Sequence, residues 1–225
     1  MAVSANHSLV LVEGDIVDML PEVFDCFDLR VTGSTEIAKG LGEIWDLTNW
    51  PRRGKPRHHV HKAILFNGTW TAILDREMNM ILNEEQCAEC ARRLQVRVFG
   101  YIAESISGTA GIFLFSPDKI RALNIQNNEV IEDYGEPLEQ EEGISFERML
   151  QDGPMRVSRR MGFSDSLFAH PSSKVMIVGM EDPIRSRTVA AGTSTYITGL
   201  VTKNSAKVSQ APPVDRREKP WWKLW

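Results

Sequence analysis

Apolar positions along the chain change their period several times, and each change marks an element. Residues 7–12 (HSLVLV) read as a short first strand. Asp15 then stands where a helix cap is needed, ahead of a stripe of Ile16, Leu20, Phe24 and Phe27 that Pro21 must kink or restart. Ser34 is placed to cap a second helix with Ile37, Leu41, Ile44 and Trp45 on one side, although Gly40 and Gly42 weaken it. A basic loop with two prolines follows over residues 49–56.

The sharpest local signal comes next. Residues 60–66 and 69–74 are β-rich runs separated by Asn67-Gly68, the dipeptide that favours a type I′ hairpin with left-handed backbone at both positions. Asn83 followed by Gln86 has the spacing of a capping box and opens a helix to about Leu94. Strands are predicted over 96–104, 111–115 and 120–125, joined by short turns that suit antiparallel neighbours, and a further short run over 130–134 follows the Asn127-Asn128 turn. Ser145 is placed to cap a helix through Leu150, a second helical piece covers 154–161, and residues 174–179 (KVMIVG) read as a last buried strand. The pattern predicts an α+β fold: an antiparallel meander sheet of about five to seven strands with helices mainly on one face. One domain over 1–182 is expected, with a flexible linker and tail over 183–225.

Composition narrows the class. With 225 residues, 42% hydrophobic and 25% charged, the chain has the balance of a globular protein with a buried core, which excludes a wholly disordered or fibrous one. Three cysteines, an odd number, argue against a disulfide framework and suit a reducing cytoplasm. No signal peptide is read at the start, and the longest uncharged stretch, residues 188–202, is too short and too rich in Thr and Gly for a membrane helix.

Charge is unevenly spread. The net charge is −4, yet six basic and two acidic residues lie between Lys203 and Trp225, so the body is strongly acidic and no nucleic-acid partner is expected. Between Asp46 and Asp75 every charge is positive; between Arg121 and Arg148 every charge is negative. The acidic run holds Glu129, Glu132, Asp133, Glu136 and Glu139, the candidate contact for a basic protein partner.

Catalytic signatures are missing. There is no G-x-S-x-G elbow, no H-E-x-x-H, no Walker loop and no G-x-G-x-x-G after a strand, so a catalyst is the minority reading and no cofactor is expected. One metal constellation competes: His58 and His61 form H-x-x-H, and Cys87 and Cys90 form C-x-x-C, four ligand types suited to tetrahedral zinc. Against it, the cysteines fall at helical spacing in EEQCAECARRL, where both thiols serve as small core residues.

The end of the chain is distinctive. Three of six tryptophans, Trp221, Trp222 and Trp225, lie in the last five residues, beyond a basic Pro-containing stretch. Rings of that area suit burial on the protein's own domain, in a groove on a partner, or in a membrane interface beside lysines.

Several segments within residues 64–142 carry a resemblance: FNGTWTAILD, the helix end ARRL, VFGYIAESISG and YGEPLEQE. They resemble small uncharacterised bacterial proteins of the immunity or interaction type, and endings like KPWWKLW recur on diverse bacterial proteins. The resemblance implies a stoichiometric protein binder and transfers no catalytic residue. The competing class is an enzyme or zinc-stabilised regulatory domain built on His58, His61, Cys87 and Cys90.

Overall fold

Runs such as Leu9–Val12, without polar alternation, can be buried only if both faces of a sheet are covered, and that is how the fold is built. The structure, a computed structural model, describes residues 7–38, 41–48, 59–76, 80–104, 107–170 and 173–181. The basic loop over 49–56, His58, the linker and the tryptophan tail lie outside the described residues.

Nine strands among the described residues form one open sheet: β1 (His7–Glu13), β2 (Arg30–Ala38), β3 (His59–Phe66), β4 (Trp70–Leu74), β5 (Val98–Glu104), β6 (Thr109–Phe115), β7 (Ile120–Gln126), β8 (Glu129–Tyr134) and β9 (Val175–Glu181). Their order is β2-β9-β3-β4-β1-β5-β6-β7-β8, with every neighbouring pair antiparallel. The fold is therefore mixed helix and strand on an antiparallel sheet, larger than the five to seven strands expected. Only β5 to β8 run as a continuous meander. Strand β1 is inserted between β4 and β5, and β9 between β2 and β3.

Helices cover both faces, correcting the one-face expectation. On one side α1 (Leu20–Asp25) and α3 (Glu84–Leu94) bring Val23, Phe24, Cys87 and Cys90 onto Val10, Val12, Ile64 and Ile102. On the other, α2 (Leu41–Thr48), α4 (Phe146–Gln151) and α5 (Gly153–Arg160) bring Ile44, Met149 and Val157 onto Leu9, Leu11, Phe99 and Tyr101. Adjacent residues of β1 thus enter opposite cores, as strand alternation requires.

The second predicted helix is half wrong. Ser34 and Ile37 lie in β2, paired with β9, and only the part from Leu41 is helical. The run RVTGSTEIA is rich in β-branched residues, and pairing with β9 prevails over the helical spacing. Pro21 does restart the chain: a 3-10 turn over Val17–Met19 precedes α1, with Pro21 in its first turn. Asn83 is the residue before α3, but its side chain makes no capping hydrogen bond, and Gln86 instead donates to Asp28 at 2.9 Å. Ser145 does cap α4, accepting from the Arg148 amide at 3.3 Å.

The hairpin turn sits one residue later than its dipeptide suggests. Phe66 pairs with Thr71, so Gly68 and Thr69 are the central residues, and only Gly68 (φ 98°) is left-handed. A glycine first and a single positive φ is the type II′ pattern. The Asn67 side chain accepts from the amides of Thr69 and Trp70 and donates to the Gly162 carbonyl, while the Trp70 ring nitrogen donates to Met161, pinning the hairpin below α5. The type I′ turn occurs elsewhere, at Asn127 (φ 52°) and Asn128 (φ 62°) between β7 and β8.

A buried ion pair lies inside the core that holds α3. Lys62 on β3 and Asp75 just after β4 are both fully inaccessible and bonded to each other. The second Asp75 oxygen accepts the amides of Met80 and Ile81 at 2.9 and 2.8 Å, and its backbone carbonyl accepts from the Ser8 hydroxyl. One carboxylate therefore fixes the chain path from β4 towards α3.

Candidate functional site

The acidic run folds as the outermost strand, β8, and the loop after it, and the structure divides its carboxylates by role. Arg121 on β7 is almost fully buried and faces the core beneath α4 and α5. It pairs with Asp133, and it grips Glu141 with two bonds of 2.8 and 2.7 Å. It also donates to the carbonyls of Ala122 and Tyr134. Asp133, one of the expected contact residues, remains exposed, but its charge is already paired with Arg121. The pattern had a signal: a lone arginine in an apolar strand (IRALNI) directly before an acidic stretch.

Glu136 and Glu139 are exposed in the loop that follows β8. Glu129 and Glu132 lie on the opposite face from Arg121. Glu132 pairs across the ladder with Asn124, and Glu129 with Gln126, which share a face with the buried Ala122. Between these pairs the register shifts at Ile131, a bulge that bends the edge strand.

On that face the first turn of α3 meets the strand. The Tyr134 hydroxyl donates to Glu84 at 2.8 Å. Burial raises the Glu84 pKa above its ordinary value; the tyrosine bond opposes this, and the nearby Glu132 charge adds to it. Burial and the Glu84 carboxylate in turn push the Tyr134 phenol upward. Beside them lies a small cavity of about 70 Å³ lined by Ile81, Leu82, Glu84, Ile102, Gly111 and Asn124, with Leu82 64% exposed at its mouth. That volume is well below the several hundred Å³ of a cofactor or drug-sized pocket. Strand alternation adds Glu104, on the Ile102 side of β5, to the same corner. Among the described residues of β5 to β8 and the first two turns of α3, no Lys or Arg shares this face. Glu84, Glu104 and Leu82 went unnoticed in the sequence because nothing in their spacing joins them to residues 129–132.

A larger depression of about 440 Å³ lies beside α1 and β2, lined by Pro21, Asp25, Asp28, Leu29, Arg30, Val31 and Gly33. Its acids are already engaged, Asp25 with Arg93 at 2.8 Å and Asp28 with Gln86.

Among the described residues, the ligands of the zinc arrangement are not brought together. Cys87 and Cys90 are buried under α3 in the core shared with Val60 and Ile64. His61 lies between those two on β3, so alternation turns it to the opposite face; His58 falls outside the described residues. Burial raises the pKa of Cys26, Cys87 and Cys90, which favours the neutral thiol. Among the described residues no three His, Cys, Asp or Glu side chains are grouped to hold a metal. No described helix is long and apolar enough to cross a membrane. Trp221, Trp222 and Trp225 lie outside the described residues.

No protein-family model matches the chain, and no curated protein and no solved structure matches it either.

Proposed function

We propose that the protein is a non-enzymatic binding protein, immunity-like or scaffolding, that acts through stoichiometric contact with a basic protein partner. The observation that carries this reading is the acidic margin of the sheet, where Glu129, Glu136 and Glu139 are exposed, Glu132 is half-buried, and no cation shares the Glu129 and Glu132 face among the described residues. Exposed carboxylates so arranged steer an oppositely charged partner and give fast, salt-sensitive association. The three buried, unpaired thiols suit a reducing, cytoplasmic setting. The tryptophan tail, through Trp221, Trp222 and Trp225, is proposed as a second, aromatic contact with a partner protein.

The test uses the purified full chain as bait, alongside a variant with Glu129, Glu132, Glu136 and Glu139 all changed to Lys. The reading expects a partner held in stoichiometric amount by the first and released by the second, with the melting midpoint little changed. Equal retention by both would contradict it.

A further inference from the structure

The acidic corner has more structure than a charged surface needs. We propose that the face formed by β6, β7 and β8 beside the first turn of α3 is a groove for an extended basic segment of a partner, which seats one aliphatic side chain in the cavity over Gly111. The proposal rests on the binding-protein reading above.

Three features select that occupant. The first is charge: Glu84, Glu104, Glu129 and Glu132 surround the groove without a cation among the described residues there, so the segment must carry Lys or Arg. The second is the apolar floor. Ile81, Leu82 and Ile102 line a cavity too small for a cofactor and suited to a single aliphatic group. Gly111 keeps it open, because a Cβ there would already stand 3.3 Å from Ile102 and 3.0 Å from the Leu123 carbonyl. The third is the edge itself. The bulge at Ile131 interrupts the outer ladder of β8 and disfavours addition of a tenth strand. A partner therefore lies across the face, with its charges on the rim and its apolar residue in the floor.

Fluorescence anisotropy on the full chain tests this with two labelled peptides, one holding a leucine between three basic residues on each side and one with glycine in its place. At low salt the leucine peptide is expected to bind on the order of tenfold more tightly, the return for burying one aliphatic side chain. Leu82→Ser should erase that preference, Glu132→Lys should weaken both peptides, and Glu136→Lys with Glu139→Lys should leave the preference intact. Equal binding of the two peptides by the unaltered protein, or a preference that survives Leu82→Ser, overturns the groove. The two ideas fail separately. A stoichiometric partner captured by a protein that does not distinguish the peptides leaves the binding reading standing and removes the groove. Peptide discrimination without any stoichiometric partner does the reverse.

Discussion

Asp75→Ala probes the least replaceable contact in the fold. The substitution removes the carboxylate that faces Lys62 in a fully buried site and, with the same group, the acceptor of the Met80 and Ile81 amides. Removing one partner of a buried ion pair costs about 3–5 kcal/mol, because the remaining charge stays out of water. Each amide left without an acceptor adds up to about 1–3 kcal/mol where water does not reach it. Total stabilities of domains this size are about 5–15 kcal/mol, so the variant should be close to the limit of folding. Urea denaturation followed by circular dichroism measures the loss, with an unchanged m-value showing that the same surface is still exposed. Lys62→Met should cost less, since Asp75 keeps both amide bonds, and the double variant should be more stable than the sum of the single losses implies. A loss below about 1 kcal/mol for Asp75→Ala at constant m-value would refute the argument that this carboxylate ties β4 to the start of α3.

Other outcomes follow from the same physics. Arg121→Met should destabilise by about 3–5 kcal/mol, because it leaves the nearly buried Glu141 without its partner; denaturation at neutral pH reads this directly. Gly68→Val should cost about 1–2 kcal/mol from backbone strain alone, since open space surrounds the new side chain, and an unchanged melting midpoint would show that the left-handed turn is misplaced. The hydrogen bond from Arg97 lowers the pKa of Glu13, and that from Arg156 lowers the pKa of Asp152. A carboxyl held below its unfolded value contributes stability that is present above that value and lost as pH falls through the folded one. Stability should therefore decline below about pH 4, and Arg97→Met should flatten part of that decline in a pH series of melts. Glu84 has the opposite sign: its raised pKa makes its contribution larger at low pH and loses it as pH rises, and Glu132→Gln should lower its titration midpoint in a carboxyl NMR titration.

Local signals predicted local structure well. Ser145 caps its helix, Pro21 restarts one, and the hairpin runs around Asn67 and after Ile120 are strands where β-rich runs placed them. What sequence reading missed depends on distant pairing. Strand β2 takes its form from β9, more than 130 residues away in sequence, so the helical spacing of Ile37, Leu41 and Ile44 misled. The two-faced sheet was nonetheless visible in the unbroken apolar runs of β1 and β5, which a one-faced meander would have exposed to water. The acidic stretch was legible as charge, but its division was not: Asp133 reaches Arg121 on one face while Glu132 stands beside Asn124 on the other, a consequence of period-two alternation and one bulge.

The most direct test of the central claim is the association rate of the captured partner, followed by stopped flow over a range of salt concentrations, for the unaltered protein and for Glu129→Lys/Glu132→Lys. The account predicts a rate that falls steeply with salt for the first, and a slower, nearly salt-independent rate for the second with the fold intact. Identical rates and identical salt slopes for the two proteins would contradict it.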